Sequence, residues 1–399
     1  MIDNHIKGQQ QKKLSFDNTE IAFNSKSDQA LKKSLLLFRL MNNNFLVKIG
    51  PFFTMLAMRL RLPIKGLIKS TIFAQFCGGE TIEESVEVAV NLGKYHIFSI
   101  LDYSVEADND EEIFDRTMVE IIRTIKAASQ NEHIPFSVFK ISGLIKSDLL
   151  AKVQSAETLT IIEKSDYQRC TERVNEICST AYNLHVPVMI DAEESWIQEP
   201  IDKFAITMME KYNKESAIIF NTVQLYRHDR LDWLRQVYAG SKSAGFFLGV
   251  KLVRGAYMEK ERARAKEFKY ASPIQVDKAA TDTDYNLAVS FCLDHTDHIS
   301  IVVGTHNQLS CELLIKNLEE KHLPENYPHI WFSQLLGMSD NLSFNLAAAG
   351  FNVAKYLPYG PIASVMPYLF RRANENTAIA GQMSRELTMI TQEKKRRRI

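Results

Sequence analysis

Arg371 and Arg372 stand side by side in the segment YLFRRANEN, and Glu375 follows them at three and four residues. Guanidinium groups grip a carboxylate through paired hydrogen bonds, so two of them at one site would fix a carboxylate ligand in a single orientation. Glu375 would then hold one of the arginines, or a ligand hydroxyl, in place. The plainer reading is a solvated helix face with local ion pairs worth a few tenths of a kcal/mol. A second set of polar groups ends short apolar runs: Asp102, Lys140, Asp191, Gln224, Lys251 with Arg254, Thr305-His306-Asn307, Gln334 and Tyr356. Burying so many ionisable side chains unpaired would cost several kcal/mol each, whereas a solvated pocket for a charged ligand accommodates them.

Those runs are the elements that must position the chemistry. HIFSILDY, PFSVFKIS, VPVMIDAE, AIIFNTVQ, FFLGVKLV, ISIVVGTH, IWFSQLL and NVAKYLP make eight β-branched and aromatic segments at near-regular intervals. Each gap is long enough for a crossover helix, which predicts an α/β fold of the (β/α)8 TIM-like barrel type, with an N-terminal helical arm and the last helix over its mouth. Thr81 to Glu84 form a capping box before the first strand, and Asn183 to His185 break the pattern before the third. An open doubly wound sheet would also alternate strands and helices, but no G-x-G-x-x-G or G-x-x-x-x-G-K-[ST] follows any strand. The expected division is an N-terminal helical arm over residues 1–70, the barrel over 71–390, and a basic tail over 391–399.

Singly, each candidate has a plainer alternative. Lys140 is either a snorkelling edge residue or a nucleophile of the Schiff-base type. Asp191 ends a fully apolar strand, the position where barrels place catalytic groups, while Glu193 and Glu194 could simply begin the next helix. His306 has no second ligand at metal spacing, so hydrogen bonding fits it better than a metal.

Composition narrows the classes. The 399 residues are 45% apolar, and 48 basic residues balance 48 acidic ones, so no overall field favours nucleic acid. Five scattered cysteines without a C-x-x-C pair suggest a reducing compartment, and the polar start lacks a signal-peptide core. A cytoplasmic protein is expected. Within the arm, Leu31, Leu35, Leu36 and Leu40 recur at helical spacing, and Pro51 to Met58 lie among Lys48, Arg59, Arg61 and Lys65. Packing on the barrel flank is one reading, and an amphipathic segment on an anionic membrane surface is the other. The run Lys394 to Arg398 reads as a frayed, solvated end.

Taken in order, FKISGL, MIDAEES, NTVQLY, KLVRGAY, GTHN, SQLLGM, KYLPYGP and YLFRRANEN resemble the proline dehydrogenase family, most densely from Phe136 to Glu386. The resemblance is to single-function members rather than to fusions with an aldehyde dehydrogenase. It implies oxidation of proline to pyrroline-5-carboxylate, with FAD as cofactor and a membrane quinone as electron acceptor. Gln224, Lys251, Val253, Gly255, Ala256, Lys278, Thr305, His306, Asn307 and Glu375 are the cofactor contacts so implied. Lys278 follows Asp277 where the fusions carry a basic pair, and Lys251 stands where many members have Arg. For substrate the resemblance implies Arg371, Arg372 and Lys140 on the carboxylate, with Asp191, Tyr356, Tyr257 and Leu335 around the ring. Lys251, Asp191 and Tyr356 are the implied catalytic set. Hydroxyproline oxidation, a Schiff-base aldolase using Lys140 or Lys251, and a non-enzymatic scaffold are the competing readings.

Overall fold

The computed structural model describes residues 14–60, 62–104, 110–378 and 382–399. Eight parallel strands close in chain order into a barrel: β1 (Ile97–Tyr103), β2 (Phe136–Phe139), β3 (Val188–Ile190), β4 (Ile219–Gln224), β5 (Leu248–Val253), β6 (Ile299–Gly304), β7 (Ile330–Leu335) and β8 (Val353–Tyr359). β8 returns to pair with β1 and closes the sheet. The strands are those expected from the apolar runs, separated by helices such as Glu111–Ser129, Ile161–Asn183 and Gln308–Glu320.

Because side chains alternate along a strand, each strand feeds two cores. Outward residues such as Val250, Leu252, Val353 and Leu357 join the large cluster under the helices. Inward residues form a separate small cluster that includes Ile100, Phe136, Val138, Met189, Phe220, Val302, Ala354 and Tyr356. Register aligns these layers, with Ile100 level with both Phe136 and Tyr356, and Lys251 level with Thr222 and Val302. At the N-terminal strand ends, aromatic rings plug the barrel. Trp331 meets Phe98 at 5.3 Å and Phe136 at 5.2 Å, and Phe136 meets Phe220 at 5.7 Å, all near-perpendicular.

Three connections at that same end use a histidine where glycine is the usual residue. His96, His185 and His322 have φ of 57°, 54° and 54°. Each N–H turns back onto the helix just ended, to Gly93, Tyr182 and Glu319.

Residues 1–13 and 61 of the expected arm lie outside the described residues; its described part is largely helical, as expected, but the buried face differs from the leucine spacing. In the helix Asp28–Met41, Leu31, Ser34, Leu35, Phe38 and Met41 are buried, while Leu36 and Leu40 are 61% and 48% exposed. Phe38 takes the place that Leu36 and Leu40 were expected to share, because the 3.6-residue period carries Leu31 and Leu35 on to Phe38. The next helix, Asn44–Arg59, packs against both Asp28–Met41 and the helix Ile362–Ala378, which carries Arg371 and Arg372.

Two expectations about the C-terminal end are corrected. The arginine-bearing helix is not the last, since Gln382–Arg397 follows and packs against the arm. The basic run is no frayed tail. Arg396 and Arg397 bracket Glu393, which is fully buried at the side chain, and Arg397 also reaches Asp28 and the carbonyls of Phe23 and Lys26. Ion pairs to arm residues therefore keep the helix intact through Arg397. Among the described residues no helix is long and apolar enough to cross a membrane.

Candidate active site

At the C-terminal strand ends the inward positions turn polar. Continuing the alternation of β1, β2 and β3 by two residues past Ile100, Val138 and Met189 gives Asp102, Lys140 and Asp191, and β5 adds Lys251. Three strand ends meet at Asp191. One carboxylate oxygen pairs with the Lys251 ammonium, and the other accepts from the Tyr356 hydroxyl at 2.7 Å. The Lys251 ammonium also lies over the Tyr356 ring, 4.9 Å from its centre. Burial works against the Asp191 charge, but the Lys251 and Lys140 charges and these hydrogen bonds win and hold its pKa below the ordinary value.

Lys140 lies beside Tyr257, Asp102, Asp191 and Glu193, which together keep its ammonium protonated well above the usual lysine range. Burial pushes the Tyr257 phenol up to about 12, with Lys140 and Arg371 pulling the other way. Burial likewise raises the carboxyl groups of Asp102 and Glu193. So of the three acids nearest Lys140, only Asp191 is held below its ordinary value, while the mouth carries Lys140, Lys251 and, beside Tyr257, Arg371. That balance suits an anionic ligand. Arg372, on the same helix, is 9% exposed, with its guanidinium 5.1 Å from the Tyr368 ring and its charge felt at His306. Leu335 is half-buried at the end of β7.

The other side of the mouth is built from the ends of β4, β5 and β6. Val253 is half-buried, and Gly255 and Ala256 are exposed. Gly255 has φ 139°, and a Cβ there would lie 2.4 Å from the Tyr226 ring, so only glycine fits. Gly304 on the next strand has no room to spare either, since an added Cβ would lie 3.0 Å from Val253. Small residues in this row leave a floor with little side-chain bulk.

Around that floor, polar atoms are tied to one another. Gln224 donates to the Glu193 carbonyl at 2.7 Å and accepts from the Ala256 N–H at 3.3 Å, bracing the β3 and β5 loops. Thr305 Oγ1 accepts from Arg254 at 2.8 Å and from the Asn307 N–H at 3.0 Å, and Asn307 Oδ1 caps the helix Gln308–Glu320. These three shape the floor through backbone and loop geometry more than through unused donors. His306 shares a hydrogen bond with Ser339 through Nδ1 at 2.9 Å, and burial with nearby Lys355, Arg372 and Arg254 pushes its pKa down to about 3. Lys278 is exposed and joins Arg254 only through the shared partner Asp282. The side chain of Glu375 lies outside the described residues.

Glu193 and Glu194 do not begin the following helix, which starts at Gln198. Glu193 is buried and accepts from the Ser142 N–H at 2.9 Å, holding the loop after Lys140, and Glu194 pairs with Lys260. Sequence reasoning also passed over Lys355, Asp340, Ser339 and Glu386, all buried behind the mouth. For Lys355 a signal existed, since alternation from Tyr356 places it on the outward face.

Comparison with known proteins gives a consistent result. A family model described as proline dehydrogenase matches residues 86–385. The carbapenem antibiotics biosynthesis protein CarD of Pectobacterium carotovorum subsp. carotovorum is 34% identical, over 84% of this chain and 86% of its own. The mitochondrial proline dehydrogenase 1 of Dictyostelium discoideum is 31% identical, over 98% of this chain and 76% of its own. A crystal structure of proline utilization A from Bdellovibrio bacteriovorus, inactivated by N-propargylglycine, superposes with a TM-score of 0.71 at 17% identity. That alignment covers 91% of this chain but 38% of the larger protein, and it speaks for the fold alone.

Proposed function

As the chain belongs to the proline dehydrogenase family, we propose that it oxidises L-proline to pyrroline-5-carboxylate, using bound FAD and a membrane quinone as final acceptor. FAD supplies the hydride acceptor, and the floor of Val253, Gly255, Ala256 and Gly304 with Thr305, His306 and Asn307 is the surface that would hold it. Lys251 stabilises negative charge that builds there during transfer. Lys140, Arg371 and Arg372 take the substrate carboxylate, and the Asp191–Tyr356 pair together with Tyr257 and Leu335 walls the ring. The protein acts chiefly by orientation, fixing the ring carbon next to nitrogen over the floor.

The observation that carries this reading is the knot at Asp191, where one carboxylate ties β5 and β8 together below a cationic rim. It also weighs against a Schiff-base aldolase. A lysine held protonated, as Lys140 is, cannot attack a carbonyl, and the Lys251 ammonium is bound to Asp191. With Tyr356 held against Asp191, the bulk of its phenol would crowd a ring hydroxyl, which favours proline over hydroxyproline.

For the acceptor, the support is the arm. Leu36, Leu40, Phe52, Phe53, Leu60 and Leu67 are exposed there, next to the helix that bears the arginine pair. Seated on a lipid surface, that side would bring the mouth close to a quinone. The deciding experiment is the absorbance spectrum of the purified protein. A yellow protein bleached by proline is expected. A colourless protein that reduces no dye with proline overturns the reading, and co-sedimentation with anionic vesicles tests the arm separately.

A further inference from the structure

Behind the mouth, a buried set of charges clasps the turn after β7. Lys355, next to Tyr356 but on the opposite face of β8, donates to the Met338 carbonyl at 2.6 Å and to Asp340 at 3.0 Å. Asp340 also pairs with Lys26 of the arm at 3.3 Å. Gln75 donates to the Gly337 carbonyl at 2.8 Å, and a Cβ at Gly337 would lie 2.0 Å from the Gln75 carbonyl oxygen. Within this clasp Ser339 adopts φ 50°, a conformation unfavourable for a non-glycine residue that persists only where its surroundings dictate it.

The surroundings of Ser339 point in two directions. Its N–H donates to Glu386 Oε1 at 2.6 Å, and its hydroxyl meets His306 Nδ1 at 2.9 Å. Glu386 belongs to the final helix and is 8% exposed. Two contacts thus lead from that helix to an imidazole at the floor of the mouth.

We propose that Glu386 is a positioning residue: by holding the Ser339 N–H it fixes the left-handed turn from which the Ser339 hydroxyl sets the orientation of His306 for the cofactor. The cofactor part of this rests on the flavin reading given above. Chemically, a neutral imidazole has one donor and one acceptor nitrogen and a hydroxyl can meet either, so the bond at Nδ1 holds the ring plane and aims Nε2 at a ligand. Burial and the charges of Lys355, Arg372 and Arg254 around the ring disfavour its protonated form, so the aim of this neutral ring is the variable left to control. Glu386 itself sits near Asp340, Lys355 and Lys26, the same groups that hold the rest of the turn.

The test uses Glu386→Ala, Glu386→Gln, Ser339→Ala and the Glu386→Ala/Ser339→Ala double variant. FAD affinity is measured by titration of apoprotein, and the hydrogen bonding of the His306 ring nitrogens by NMR of protein carrying 15N-histidine. Each alanine variant is expected to weaken FAD binding about tenfold, the scale of one buried hydrogen bond, and to alter the His306 signals. The double variant should be no weaker than the worse single one by more than about twofold, because both act through one link. Glu386→Gln keeps an acceptor oxygen and should restore wild-type affinity and signals. Multiplying losses in the double variant overturn the proposal, as do His306 signals unchanged in Glu386→Ala. Should Glu386→Ala fail to fold, Ser339→Ala with unaltered His306 signals and affinity overturns it equally. A wild-type protein that takes up no FAD refutes the flavin reading instead, and the imidazole signals then decide the link between Glu386 and His306 alone.

Discussion

At the N-terminal ends of β1, β2 and β4 the inward positions hold Phe98, Phe136 and Phe220; four residues further along the same faces they hold Asp102, Lys140 and Gln224. The backbone geometry is the same at both levels, yet one end is closed by rings packed edge to face and the other by ion pairs and hydrogen bonds. Aromatic packing yields stability without direction. The Asp191 knot yields direction, because removing any member leaves a buried or half-buried polar group short of a partner.

If the two ends are separable, changes at each should move different quantities. Phe136→Ala at the plug should have the largest effect, lowering unfolding free energy by about 3–5 kcal/mol in urea titrations. The Michaelis constant for proline should stay within about twofold, and a parallel rise would show that the ends are coupled. At the mouth, Arg371→Ala or Arg372→Ala should raise that constant on the order of 10- to 100-fold, the roughly 1.5–3 kcal/mol of a charged hydrogen bond, with little change in melting temperature. A constant unmoved in both variants would remove the carboxylate clamp. Tyr356→Ser should sharpen the contrast, improving turnover of hydroxyproline relative to proline by about fivefold, or roughly 1 kcal/mol. An unchanged ratio would mean the phenol does not select the ring. Smallest of all, His185→Gly at the plug end should raise stability by about 0.5–1 kcal/mol through relief of its left-handed backbone, with turnover untouched.

How much of this was legible in the sequence follows from the range of each interaction. Period-two alternation is local, so the strands and the facing of Lys251, Val253 and Gly255 could be read from a few residues. That Asp191 would end its strand at the mouth was equally plain. That Tyr356, 165 residues away, would bond to it was not, since the family resemblance placed both only around the ring of the substrate. Glu386 and Ser339 are 47 residues apart and belong to no motif, so their contact exists only in the folded chain. The arm misled for a related reason, since several leucines met the helical period, and the packing of Phe73, Phe76 and Leu369 beside the stripe that runs through Leu31, Leu35 and Phe38 is not visible in the sequence. At the other end, Lys394 to Arg398 looked like loose charge because Glu20, Asp28 and the carbonyl of Phe23, which hold it, lie at the opposite end of the sequence.

The histidines in left-handed turns carry a practical consequence. His96, His185 and His322 are all exposed and all lie at the plugged end, away from the mouth. Glycine at each would ease three independent kinks in the chain, and effects at such separated sites add. Thermal endurance could therefore be engineered into this protein from its inert side, as a property adjusted without retuning the catalyst.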